Sequence, residues 1–165
     1  MIKYKWKEDN TIKIIINMQK DELFELISYL RRIDNCKYHK LKEPEEPKNY
    51  PFKNVDIAML EPDLLYLKTT ILAMANTEGG IIIIGAKKIQ PKDYDEYKQQ
   101  VLQQLETLTP IPYVEFDTYL YKNKKTLIIT VSRLDLLQLP CHLKNRPISS
   151  ARIRKGGCAS PVHLT

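Results

Sequence analysis

Ala73-Met74-Ala75-Asn76-Thr77-Glu78-Gly79-Gly80-Ile81-Ile82-Ile83-Ile84-Gly85-Ala86 is the stretch whose reading decides the fold. The residues before it, from Pro62 to Ala75, have helical character. The four isoleucines after the glycines are β-branched, which favours strand, and are too few for a membrane span. The chain therefore passes here from a helix into a core strand. Gly79 and Gly80 are expected to supply the positive-φ positions that close a helix and reverse the chain. Phosphate-cradling loops place their glycines after a strand and before a helix, so that helix N–H groups face the anion. The order here is the opposite, which argues against a nucleotide-binding loop.

Working outward, 165 residues and 19.3 kDa fit one compact core. Apolar residues at 43% and charged residues at 28% exclude a disordered chain. No secretory pattern opens the sequence, and no apolar run approaches the ~20 residues of a spanning helix. An intracellular protein, cytoplasmic or nuclear and without a transmembrane segment, is expected. Three widely spaced cysteines fit a reducing compartment. Cys36 with His39, Cys141 with His142, and Cys158 with His163 are zinc-ligand types. No CxxC pair of matched spacing joins them, so no metal site is assigned. Cys158 also lacks the orienting third group of a nucleophile.

The formal charge of +6 is unevenly spread. Residues 122–165 hold nine Lys or Arg against one acid, Asp135, a local excess of +8, while the other 17 bases and 19 acids leave residues 1–121 at −2. Segregated positive charge attracts phosphodiesters through counterion release, so nucleic acid heads the expected partners. The bland alternative is a solvated rim.

In chain order, Ile2, Tyr4 and Trp6 alternate with lysines as in a half-exposed strand, and residues 11–17 read as its hairpin partner. Residues 21–33 carry Leu23, Phe24, Ile27, Leu30 and Ile33 at helical spacing, with acids early and Arg31 and Arg32 late. Residues 34–63, punctuated by Pro44, Pro47, Pro51 and Pro62, read as loop or edge, and Pro62 suits the first turn of the next helix. Asp93 can cap a helix whose Tyr94, Tyr97, Val101, Leu105 and Leu108 form one stripe, ended by Pro110 and Pro112. Residues 113–121 and 126–131 read as an antiparallel hairpin across residues 122–125, and Ser149 to Arg154 as a last strand. The class is α+β: a mixed sheet with two to three packed helices in a single lobe. The division expected is an N-terminal hairpin-helix element, 1–45, packed on a core domain, 46–165.

Ala73 to Gly80, Gly85, Ile111-Pro112, the hairpin, Pro140, and Arg152 to Gly157 together resemble the AlbA-like domain of the Schlafen family. The resemblance runs from about Glu46 to the C-terminus and implies Asn76, Gly79, Gly80 and Gly85 as the structural motif. It also implies a nucleic-acid binder, since some Schlafens are endoribonucleases that cut tRNA-like RNA with carboxylates on divalent metal. Carried over, the first carboxylate is Glu46. The second falls on Pro51, in Tyr50-Pro51-Phe52-Lys53, and the two aspartates fall on Lys87 and Lys88. Proline offers no side-chain ligand and lysine reverses the charge, while a hard dication needs oxygen donors. Glu46 is then vestigial. Lys53, Lys87, Lys88, Lys144, Arg146, Arg152, Arg154 and Lys155 are candidates for nucleic-acid contact instead.

Three functions follow as expectations. The first is a catalytically degenerate Schlafen-like RNA-binding domain, a pseudonuclease subunit assembling with other Schlafen-like subunits or with itself, with no cofactor. The second is an active Mg²⁺- or Mn²⁺-dependent endoribonuclease on tRNA or other small RNA that recruits Glu43, Glu45, Glu61 or Glu78. The third is a protein-interaction scaffold whose basic tail is only a soluble rim.

Overall fold

The computed structural model describes residues 56–155 and 158–161. The hairpin and helix expected before residue 34, together with Glu46, Pro51 and Lys53, lie outside the described residues.

Strand β1 (Ile57–Leu60) leads into helix α1 (Leu64–Ala75), which returns the chain to strand β2 (Gly80–Ile84). Helix α2 (Tyr94–Leu105) follows, then the two-residue strand β3 (Leu108–Thr109) and the long pair β4 (Val114–Tyr121) and β5 (Lys124–Val131). A 3-10 turn at Leu136–Gln138 precedes strand β6 (His142–Leu143), and another at Ile148–Ser150 precedes β7 (Arg152–Lys155) and β8 (Cys158–Pro161). The main sheet runs β1-β2-β5-β4, with β1 parallel to β2 and the other pairs antiparallel. Separate two-stranded pairs, β3-β6 and β7-β8, flank it.

The mixed sheet and packed helices are the expected α+β architecture. Several local details differ. Residues 57–60 form a strand in which all four side chains are buried. With both faces covered, Ile-Ala-Met-Leu shows no alternation to read. Helix α1 starts at Leu64 rather than at Pro62, because Asp63 is the N-cap and its Oδ1 accepts from the N–H groups of Leu65 and Tyr66 at 3.0 and 3.1 Å. Asp93 caps α2 in the same way. That helix stops at Leu105, so Leu108 leaves the stripe for β3, where it is still buried. The hairpin turn is shorter than expected: Lys122 and Asn123 alone have positive φ, 47° and 63°, the pattern of a tight two-residue turn. The last expected strand begins only at Arg152.

The two glycines of the opening motif do different work. Gly79 has φ 72°, and a Cβ there would lie 2.5 Å from the Val131 carbonyl oxygen. Gly80 has no positive φ, contrary to expectation. A Cβ there would press 2.8 Å from Met74 Sδ and 2.7 Å from the Asp56 carbonyl oxygen, so that position needs close approach.

One core joins Leu67, Ile71, Leu72 and Met74 of α1 and Tyr97, Val101 and Leu105 of α2 to Ala58, Leu60, Ile82, Ile84, Leu127 and Ile129 of the sheet. Helix α1 touches the sheet, α2 and the β7-β8 pair, and is correspondingly buried over most of its circumference. That placement explains its weak apolar periodicity.

Candidate nucleic-acid interface

Strand register fixes which strand ends lie together. Parallel pairing sets Leu60 beside Ile84, and antiparallel pairing sets Ile84 beside Leu127. The end of β1, the exit of β2 and the start of β5 therefore lie side by side. Lys87 and Lys88, which follow β2, therefore belong to the same end of the sheet as the hairpin tip with Lys122, Lys124 and Lys125. Lys87 is half-buried and the other four are exposed.

Local contacts fix this end of the sheet. The Tyr94 hydroxyl donates to the Lys125 carbonyl, and Lys125 Nζ sits 5.1 Å from the centre of the Tyr94 ring. Lys122 Nζ lies 5.5 Å from the Tyr121 ring centre. In the loop after β2, Gln90 Nε2 donates to the Gly85 carbonyl at 3.1 Å, and the Ile89 N–H donates to Glu61 Oε2 at 3.1 Å. The result is ammonium groups carried on an ordered hairpin and an anchored loop, which suits contact with a phosphate backbone.

Both helices start at this same end, with N–H groups already satisfied by Asp63 and Asp93. Burial pushes the phenol of Tyr94 up, and pushes that of Tyr97 up strongly, the nearby Asp63 and Tyr94 adding to the latter. Tyr97 Oη is buried and has no partner among the described residues.

The other candidates sit elsewhere. Arg152, Arg154 and Lys155 belong to β7, which packs on α1, and Thr77 at the C-terminal end of α1 accepts from the Arg154 N–H at 2.9 Å. That is the opposite end of β2, about 17 Å away at the usual rise per strand residue. Lys144 and Arg146 are exposed just after β6, where the Lys144 N–H donates to the Thr107 carbonyl at 2.7 Å. Of Lys155 only the backbone is described. Arg154 is unavailable to a ligand. It is 7% exposed, and its Nε and Nη2 donate to Asp56 Oδ2 and Oδ1 at 2.8 and 3.1 Å. Arg152 turns inward in part, Nη1 donating to the carbonyls of Ser150 and Ala151 at 3.2 and 3.0 Å.

Asp56 is the residue that sequence reasoning missed. The search for a second carboxylate fell on Pro51, whereas the carboxylate at the sheet edge before α1 is Asp56, its charge met by Arg154. The motif residues Asn76 and Thr77 hold the same end together. Asn76 Nδ2 donates to the Cys141 and Arg152 carbonyls at 2.8 and 2.9 Å, and its Oδ1 accepts from the Cys141 N–H at 2.6 Å.

A metal fits poorly with these donors. At the exit of β2 the side chains are two ammonium groups, Asp56 is held by Arg154, and Asp63 and Asp93 are helix caps. Glu61 follows β1 while Glu78 precedes β2, so they stand at opposite ends of the sheet and cannot share one ion. No group of three or more His, Cys, Asp or Glu among the described residues is placed to hold one. Cys141 is fully buried, its Sγ donates to the Pro110 carbonyl at 3.2 Å, and burial pushes its pKa up to about 12. The His142 ring Nδ1 bonds the Leu143 carbonyl at 3.0 Å. No helix among the described residues is long and apolar enough to cross a membrane.

A small α+β domain with the Asn-Thr-Glu-Gly-Gly turn at one end of its sheet and a lysine-bearing exit at the other is thus defined. A family model described as Schlafen, AlbA_2 matches residues 42–160, and the chain belongs to that family. Among solved structures it is similar to the N-terminal domain of a RecG-related protein from Nitrosomonas europaea, whose name refers to ATP-dependent DNA helicases. The two share 16% identity at a TM-score of 0.55, over 90% of this chain and 91% of that one. It is also similar to the DIP2311 protein from Corynebacterium diphtheriae, at 19% identity and a TM-score of 0.49, over 86% of this chain. The chain spans 30% of the length of that protein. No curated protein matches the chain.

Proposed function

We propose that this chain is an RNA-binding Schlafen-family domain without nuclease activity of its own. It holds the backbone of a tRNA-like or small RNA across the lysine end of its sheet. The observation that supports this reading is the strand register that puts the exit of β2, followed by Lys87 and Lys88, at the same end of the sheet as the hairpin tip carrying Lys122, Lys124 and Lys125. Five lysines at one end of the sheet suit a phosphodiester chain, and two of them, Lys87 and Lys88, stand where the resemblance expects metal-binding acids. Lys144 and Arg146, which follow β6, are not part of this contact. The domain acts as a subunit, its cleaving partner being another Schlafen-like chain or a second, differently placed copy.

Titration of hairpin and single-stranded RNA over a salt series tests the reading. Binding is expected to weaken at least tenfold in Lys87→Glu/Lys88→Glu and to change little in Lys144→Glu/Arg146→Glu. Salt-insensitive binding, or equal losses in both variants, would reject it. Cleavage that appears with Mg²⁺ or Mn²⁺ alone would reject the pseudonuclease part while leaving the binding surface standing.

A further inference from the structure

The ladder between β2 and β5 ends at the Ile84–Leu127 pair, while β5 itself begins at Lys124. Beyond that last pair, the Lys125 carbonyl is met by the hydroxyl of Tyr94, the first residue of α2. Gly85 makes room for this contact. Its φ is 95°, and a Cβ there would collide with Tyr94 Oη and lie 2.9 Å from the Lys125 carbonyl oxygen. The Tyr94 hydroxyl therefore sits against both strands where they part. Its ring is held from behind, since Tyr94 packs on the hydrophobic core and Asp93 caps the helix it starts. From Gly85 onward, the loop is closed by the bond from Gln90 Nε2 to the Gly85 carbonyl and tied to Glu61 through the Ile89 N–H. That loop carries Lys87 and Lys88, whereas Lys125 belongs to the hairpin.

We propose that Tyr94 is a positioning residue for nucleic-acid binding, its hydroxyl locking the exit of β2 to the base of the β4-β5 hairpin so that both sets of lysines act as one. The inference rests on the RNA-binding reading and adds to it a residue that works through the lysines rather than on the RNA. Strand pairing between β2 and β5 cannot supply the lock, because the ladder stops short of both segments. A cation on a loop already held in place loses less conformational entropy when it meets a phosphate, so the lock converts directly into affinity. Tyr97 is the contrasting case on the same helix. Its hydroxyl is buried and has no partner among the described residues, so removing it breaks no such tie.

Tyr94→Phe in the full chain removes the hydroxyl and keeps the ring. Hydrogen exchange of the RNA-free protein, read by mass spectrometry, is expected to speed up severalfold in peptides covering 85–90 and 122–126 and nowhere else. Tyr97→Phe is expected to leave exchange in those peptides unchanged. For single-stranded RNA, the loss of affinity caused by Lys87→Gln/Lys88→Gln is expected to shrink by about threefold or more when it is made in Tyr94→Phe. A purely structural role would leave the two losses additive. Unchanged exchange, faster exchange across the whole chain, the same acceleration in Tyr97→Phe, or additive losses each overturn the role of Tyr94 while the binding reading stands. No loss of affinity in Lys87→Gln/Lys88→Gln alone rejects the binding reading, and the role of Tyr94 with it.

Discussion

Asn76 uses one side chain to satisfy three backbone groups on two segments that are 65 and 76 residues away in sequence. Truncating it leaves partly buried polar groups unpaired, each worth about 1–3 kcal/mol. Asn76→Ala is therefore expected to lose about 3 kcal/mol of stability in urea denaturation, and Asn76→Asp to do no better, because a carboxylate cannot donate to the Cys141 and Arg152 carbonyls. Asp56 and Arg154 make the complementary case. Removing one partner alone strands a buried charge at a cost of about 3–5 kcal/mol, so Asp56→Ala and Arg154→Ala are expected to destabilise strongly. A double replacement with apolar side chains is expected to recover much of that loss.

Cys141 adds a pH dependence. Its folded pKa, pushed up to about 12 by burial, exceeds the value of 9.0 ordinary for a thiol. The thiol therefore favours the folded state fully below pH 9. This contribution declines as pH rises from there through 12, because the unfolded chain sheds the proton first. Alkylation of Cys141, followed by peptide mapping, is expected to track unfolding, with little modification of the folded protein at pH 8.

At the level of elements, the chain advertises those with one wet side. Helix α2 shows its stripe because Tyr97, Val101 and Leu105 face the core while Asp95, Glu96 and Gln99 face water. The β4-β5 hairpin shows its lysine-rich turn. Strand β1 was legible only as loop or edge, because prolines flank it and neither face is polar. Part of the site was equally legible: Lys87 and Lys88 follow from their distance past Gly79 and Gly80. That they share one end of the sheet with Lys122, Lys124 and Lys125 was not, since only register relates residues more than 30 positions apart. The same limit hid Asp56, whose partner is 98 residues away. The turn at Gly79 makes a prediction of its own. Gly79→Ala combines an unfavourable φ with a clash against the Val131 carbonyl, and is expected to cost about 2 kcal/mol or more by thermal denaturation.

For the molecule as a whole, charge is divided between two ends of one sheet, and the two ends behave differently. One presents lysines that make no ion pair among the described residues, whereas the other spends Arg154 entirely and Arg152 in part on the protein itself. With about five lysines in contact, the logarithm of affinity for single-stranded RNA is expected to fall against log salt with a slope of about −3.5. Each lysine replaced by glutamine at the β2 exit or hairpin tip is expected to reduce that slope by about 0.7, measured by fluorescence anisotropy. Replacement of Arg146 is expected to leave it unchanged.

The Asp56–Arg154 pair also sets a clock on biosynthesis. Its two members are 98 residues apart in sequence, so a nascent chain carries the carboxylate well before its cation emerges. At typical elongation rates of about 5–20 residues per second, this delay lasts roughly 5–20 seconds. Until β7 leaves the ribosome, Asp56 is without the cation that meets its charge in the fold, and β1 waits on β7 for that contact.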